Sequence, residues 1–454
     1  MSKVIRLRKG LDIKILGTAA KQLESAPASA TFALKPTDFI GISPIPKLCI
    51  QVGDSVKAGD PVFFDKARPD IKYAAPSSGK LVEVRRGAKR KITEIVFEKD
   101  ADVQYREFPV ESVESMDRDA VVGRLLDSGA WPLIRQRPYN TVARPEDRPK
   151  AIVVSGFDSS PLGADVDFAL RGKKVAFQNG LEVLRRMTEG QVHLNLNSDH
   201  KPTDALNLAQ NVQINWFSGP HPAGNVGGQI HHSDPINKGE VIWHVRPQDV
   251  ITLGKVFTDG KYDPERIVAI AGPEVLRPRY LSMRAGDAIK GMLENNLRSD
   301  NVRVIGGNVL TGTQIDGANG HLGFYDDLVS VIAEGNEAEL LGWLIPSYAR
   351  PSGGSSFTPI LNDVPEEGYW VNTNTHGEER AFVVSGQYEK VLPMDIFPVH
   401  LLKAIMARDF EAMEGLGIYE VDTEDMALCE FVCTSKIDVQ NILREGLEFV
   451  RSQS

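Results

Sequence analysis

The sequence predicts a multidomain α/β protein, and three observations carry that prediction. The chain has 454 residues, which at about 100–200 residues per domain gives two to four domains. Its first hundred residues are short β-branched runs punctuated by Gly and Pro, the pattern of strands joined by tight turns. From residue 150 onward, apolar runs alternate with helical periodicity at βαβ spacing. A hydrophobic fraction of 42% and a charged fraction of 25% are those of an ordinary globular protein.

Charge and cysteine usage exclude several classes. The net charge is −9, so nucleic acid is not the expected partner. Cys49, Cys429 and Cys433 are the three cysteines. A sparse, odd count fits a reducing compartment, and it falls below the four thiolates of a standard iron–sulfur cluster. The longest charge-free stretch, 205–233, is full of Asn, Gln, Gly, Pro and His, so no membrane span is expected. The opening MSKVIRLRKGLDIKILG is charged and lacks the apolar core of a signal peptide. Any work at a membrane would go through a partner.

The elements follow in order. In 50–98, the turn dipeptides Gly53-Asp54 and Gly59-Asp60 precede Ala75-Pro76-Ser77-Ser78-Gly79 and a strand over 80–84. This pattern resembles the biotinyl/lipoyl carrier barrel. Asp65-Lys66-Ala67 resembles the turn that presents a lipoyl lysine. Lys66 follows Gly59 by only seven residues and precedes Pro76 by ten. That displaced spacing favours a barrel without a cofactor. A polar connector over 100–119 leads to a helix over 120–128, which Trp131–Tyr139 interrupts. A buried parallel strand is expected over 151–155, a helix over 179–188, and strands over 191–196, 212–217, 240–245 and 249–256. A small α+β unit over 264–327 places strands 266–271 and 302–305 around a helix at 287–297. A flexible loop over 350–356 precedes helices over 393–416 and 438–452, the second capped by Asp438.

Few motifs point to chemistry. Residues 307–313 (GNVLTGT) have two P-loop glycines without the lysine and read as a turn. No G-x-G-x-x-G follows a strand, so a standard dinucleotide site is not expected. His221, His231, His232 and His244 lack companion cysteines and an H-E-x-x-H, so loop histidines bonded to backbone are expected rather than a metal site. The glycine-dense 219–228 suits a binding loop or an interface. Cys429 and Cys433 would share a helix face as buried thiols. Trp131, Arg135, Arg137 and Tyr139 together offer a ring wall and forked donors, which suit a quinone head group with two acceptor carbonyls. The competing reading is an interdomain loop with Arg–carboxylate pairs. No nucleophile–base arrangement stands out, so no catalytic residue is assigned.

Four stretches together resemble one family: 59–79 (GDPVFFDKARPDIKYAAPSSG), 219–232 (GPHPAGNVGGQIHH), 303–313 (RVIGGNVLTGT) and 380–436. The last contains Y-E-x-V-x-P-x-D-I, then L-G-x-x-E, then C-x-F-V-C. The family is the A subunit of the bacterial sodium-translocating NADH:quinone oxidoreductase. That family is itself similar to the C subunit of the Rnf complex and to the NADH-binding flavoprotein subunit of complex I. The resemblance implies a biotinyl/lipoyl-like barrel without cofactor (1–105), a Rossmann-like α/β domain (106–259), a ubiquitin-like β-grasp or SLBB domain (260–335) and a mostly helical C-terminal region (336–454). It also implies a peripheral position on the cytoplasmic face of the bacterial inner membrane. Its partners would be the membrane and peripheral subunits of the pump, with quinone as substrate. NADH, flavins and iron–sulfur would sit in other subunits. Where the relatives carry a glycine loop for flavin and nucleotide, this chain has Trp131-Pro132-Leu133-Ile134-Arg135-Gln136-Arg137-Pro138, without glycines for phosphate approach. The alternative class is a flavin- and NADH-binding dehydrogenase component.

Overall fold

The computed structural model describes residues 2–336, 351 and 366–453. All but one residue of the loop expected over 350–356 lies outside them. Two small sheets close the barrel. One runs Thr31–Leu34, Ile92–Lys99, Gly79–Arg86, Ser55–Val56 and the other Lys47–Leu48, Pro61–Asp65, Arg68–Ala74. Stacked ring pairs Phe32–Phe97 and Phe63–Tyr73, at 4.7 and 4.6 Å, fill the space within them. The two Gly-Asp turns close as their chemistry requires. Asp54 and Asp60 each accept a backbone N–H from three residues back at 2.8 Å, while Gly53 and Gly59 take positive φ. Lys66 is exposed in the turn after Pro61–Asp65, so the strand before it is complete despite the short spacing.

The second domain is a seven-stranded sheet in the order Lys3–Arg6, Gln213–Ser218, Gln191–Asn197, Ala151–Ser155, Ile242–His244, Arg135–Arg137, Thr141–Val142. The first five strands are parallel, and each of the last two is antiparallel to the strand before it. Period-2 alternation divides Ala151–Ser155 between two layers. Ile152 and Val154 pack with Leu181 and Leu184, and Ala151 and Val153 with Ile230. Order reverses between Ala151–Ser155 and Ile242–His244, the topological switch point of such sheets.

One expected strand is a helix: 249–256 lies within the helix Pro247–Thr258. Its Val, Ile and Thr content reads as β, yet Pro247 sits in its first turn, where a missing N–H costs nothing. It packs against Lys174–Met187 on one side and against strand Glu265–Ala271 on the other, where Gln248 brackets the Ile267 backbone. Although it is buried on both sides, its polar residues Gln248, Thr252 and Lys255 recur at helical spacing, a signal that the β-branched content masks.

The third unit is a six-stranded sheet, ordered Thr313–Ile315, Val302–Gly306, Leu328–Ala333, Glu265–Ala271, Arg279–Arg284, Leu23–Ser25. Strands Lys3–Arg6 and Leu23–Ser25 thus leave the barrel's stretch of sequence to join the other two sheets. The helix expected over 287–297 shrinks to Lys290–Leu293. Asp287 and Ala288 instead bridge Phe32 and His321, and Asn295 at φ 53° ends the turn. The loop 307–312 joins two antiparallel strands, as a turn should. The C-terminal region is helical: Tyr388–Val391, Pro398–Met406, Phe410–Gly415, Thr423–Phe431 and Val439–Gln453. The helix expected over 393–416 is two. Arg408 at φ 54° breaks it, and Asp409 caps the second piece through Ala412 N. Among the described residues no helix is long and apolar enough to cross a membrane.

Candidate functional site

The loop holding the candidate residues is set by what precedes it. Helix Arg118–Ser128 ends on Gly129 at φ 71°, where a Cβ would stand 2.2 Å from that of Ala74. The helix end is thereby seated on the barrel. A 3-10 turn, Trp131–Leu133, then leads into strand Arg135–Arg137.

The four candidates do not share one surface. Trp131 is fully buried, edge-on to Trp243 at 5.4 Å, with Nε1 donating to Ala143 O at 2.8 Å. It is core. Arg137 is 2% exposed and points into helix Thr423–Phe431, where it pairs with Glu424 and, at 3.5 Å each, with Asp422 and Asp425. Tyr139, at φ 77°, lies edge-on to Tyr419 at 6.3 Å on the same C-terminal side. Arg135 differs from these. It is half-buried, stands over the Tyr325 ring at 4.6 Å, and forms no ion pair among the described residues.

The electrostatics sharpen that contrast. Burial lowers the pKa of Arg135, and nearby Arg246 and Arg137 lower it further. Among the described residues Arg246 pairs only with Asp327, at 3.5 Å. Both arginines flank the carboxyl end of Ile242–His244, beside the switch point. His244 is held neutral, well below the usual imidazole range, by burial and by Arg135, Arg137 and Arg246. Its Nε2 bonds Asn140 Oδ1 at 2.9 Å, and Asn140 Nδ2 donates to Asp422 at 2.7 Å. Burial pushes the Asp425 carboxyl up to about 7; Glu424 and Asp422 add to this and Arg137 opposes it. One guanidinium faces three carboxylates, so one of the three is driven toward its neutral form.

The other motifs resolve as structure. His232 bonds Pro393 O at 2.6 Å. His231 bonds Glu420 at 2.8 Å and accepts Asp395 N–H at 3.1 Å. His221 pairs with Ser159 at 3.0 Å. Among the described residues no group of His, Cys, Asp or Glu is placed to hold a metal. The glycine run is an internal interface: a Cβ on Gly219 would meet Leu7 O at 2.4 Å, and one on Gly227 would meet Asp425 at 2.1 Å. Cys429 and Cys433 are buried, the Cys429 thiol pKa is raised by burial, and Tyr388 donates to Cys433 Sγ at 2.9 Å. Both side chains pack in the core of the C-terminal helices. Sequence reading missed Arg246 and Tyr325. Arg246 closes a strand at the switch point, which the strand order alone would have flagged. Tyr325 comes from the third unit, and only tertiary structure brings it to Arg135, with its hydroxyl donating to Pro132 O at 2.6 Å.

Comparison with known proteins places this architecture. Residues 5–100 match the NqrA N-terminal barrel-sandwich hybrid domain, 116–262 the NqrA second alpha/beta domain and 267–317 the NQRA C-terminal domain, an SLBB unit. The A subunit of the Na(+)-translocating NADH-quinone reductase of Yersinia pseudotuberculosis serotype O:1b (strain IP 31758) is 37% identical over 454 residues, covering 99% of this chain and 100% of its own. The chain belongs to the NqrA family. Proteins of the same name from Rhodopirellula baltica and Vibrio alginolyticus are 37% and 36% identical, covering 99% of this chain and 98% and 100% of theirs. Among solved structures, an NAD+-reducing [NiFe]-hydrogenase in the air-oxidized state overlaps 76% of this chain and 62% of its own at 12% identity, with a TM-score of 0.40. A likeness that distant carries no functional argument. The NqrA match agrees with the expected barrel, α/β and SLBB composition, and with membership in an oxidoreductase complex.

Proposed function

We propose that the chain is the peripheral NqrA component of a sodium-translocating NADH:quinone oxidoreductase, contributing to quinone binding and to assembly of the complex. In this reading membrane and peripheral partner subunits hold it at the cytoplasmic face of the bacterial inner membrane. NADH oxidation, flavins and iron–sulfur belong to those other subunits. The absence of a redox group here is supported by Trp131, Pro132 and Leu133. They fill with buried side chains the place where the family's relatives carry a flavin loop.

The observation that carries the quinone reading is Arg135. A half-buried cation beside a second arginine, with no carboxylate of its own, is destabilised until an electron-rich oxygen approaches it. A quinone carbonyl is such an oxygen, and it gains negative charge on reduction, so the interaction strengthens as electrons arrive. Arg246 would be the second donor and Tyr325 the aromatic floor beneath Arg135. Trp131 and Arg137 hold the loop in place from the core and from the C-terminal helices, and Tyr139 borders it. The test is quinone titration of the assembled complex carrying Arg135→Leu or Arg135→Lys. Losing one charge-assisted bond costs about 1.5–3 kcal/mol, which raises the quinone KM by roughly one to two decades. Lysine would recover part of it. A normal quinone KM and inhibitor sensitivity in Arg135→Leu would place the quinone elsewhere.

A further inference from the structure

The first 105 residues hold 19 Lys and Arg against 12 Asp and Glu, while the remaining 349 hold 33 against 49. The chain is therefore polarised, with a basic amino-terminal part on an acidic body. Four of the nineteen cations stand together at one place. Strands Gly79–Arg86 and Ile92–Lys99 form a hairpin, and its tip reads Arg86-Gly87-Ala88-Lys89-Arg90-Lys91, all exposed. The carboxylates near its base, Glu83 and Glu94, are both taken by Arg85. Among the described residues Arg86 donates only to Arg90 O. Arg86, Lys89, Arg90 and Lys91 thus have no counter-ion among the described residues.

The turn itself is made from the wrong residues for stability. Lys89 and Arg90 both take positive φ, 52° and 61°, a pair of positions that Asn-Gly fills with far less strain. The sequence keeps cations there instead. Around the base, Val82 is 42% and Ile45 43% exposed, and Ile45 is brought close by the bond from Ile92 N to Pro44 O. Cations on a convex tip with aliphatic side chains behind them are suited to a lipid headgroup layer. The hairpin 79–96 contains no aromatic residue on which a nucleic-acid base could stack.

We propose that this hairpin tip docks the protein directly on an anionic phospholipid surface, independently of the 131–139 loop. Each cation close to such a surface raises the partition about fivefold. The experiment is sedimentation of the full chain with vesicles of phosphatidylethanolamine alone or mixed with phosphatidylglycerol, alongside thermal melting. The wild type should bind the anionic vesicles only, and release at about 1 M salt, where screening shortens to about 3 Å. The Lys89→Asn, Arg90→Gly double variant should bind about twentyfold more weakly while melting at the same or a higher temperature. Arg86→Gln with Lys91→Gln should weaken binding similarly. Equal binding to both vesicle types, or unchanged binding by the double variant, overturns the proposal. So does a variant that loses retention in the assembled complex when the wild type ignores vesicles, because the tip would then meet an acidic protein face.

Discussion

At Arg137 a single guanidinium meets Asp422, Glu424 and Asp425, and the imbalance makes stability depend on pH. Burial, with the neighbouring carboxylates, raises the Asp425 carboxyl from 3.8 to about 7. Between those values the folded chain holds a proton that the unfolded chain has lost. Stability therefore falls as pH rises from about 4 to 7 and levels off above, by about 2–4 kcal/mol for this one group. Asp425→Asn keeps an acceptor for the Asp422 N–H and cannot ionise. Its melting temperature relative to wild type should climb steadily from pH 4.5 to 7.5. Parallel curves for the two proteins would show that Asp425 stays ionised in the folded state.

The packing of helices Lys174–Met187 and Pro247–Thr258 sets two small-residue effects against each other. A Cβ on Gly180 would lie 1.9 Å from Val250 O, and one on Gly254 would lie 2.7 Å from Gly180 N. Alanine gains about 1 kcal/mol of helix propensity over glycine. Here the obstacle is backbone, which cannot swing aside, so the helices must separate at a cost of several kcal/mol. Gly180→Ala should therefore lower stability by about 1–3 kcal/mol in denaturant melts, and a gain would mean the helices are not in register. The same pair shows what is legible in the sequence. Strands with one period, such as 151–155 and 191–196, can be read because local pattern and burial agree. The alternation in Gln191–Asn197 even marks the polar face where Asn195 meets Gln229 at 3.0 Å. Helix Pro247–Thr258 reads as a strand because its β-branched run outweighs the helical spacing of Gln248, Thr252 and Lys255. The 287–297 helix is lost to long-range bridges that no local window contains. The candidate loop is legible as a place, through its break after 120–128 and its unusual residues. Which of its arginines is free is not, because the carboxylates that occupy Arg137 lie almost 300 residues away along the chain.

Across the whole molecule the four regions are tied by threads more than by adjacency. The amino-terminal segment adds strands to two different sheets, and its Ile13 and Ile15 join the core of the C-terminal helices. That core is separate from the one shared by the barrel and the α/β domain. Helix Val439–Gln453 touches the barrel side through Arg451, which donates to Gly41 O at 3.3 Å. Arg137 is the buried charge joining the α/β domain to helix Thr423–Phe431. Arg137→Met would keep most of the volume of the side chain but leave Asp422 and Asp425 buried beside the part-exposed Glu424 without their cation, a loss of about 3–5 kcal/mol. Because the penalty falls on one junction between two cores, it should appear as local opening. Amide exchange should accelerate over 388–453 and over 3–15, while strands 79–86 and 92–99 of the barrel keep wild-type protection. A uniform loss of protection would mean that the two cores unfold as one unit. An unchanged pattern would mean that the carboxylates simply take up protons, and pH would then separate the outcomes. The variant's excess exchange should shrink as pH falls below about 7, since protonating Asp425, which Arg137 no longer opposes, removes part of the repulsion that opens the junction.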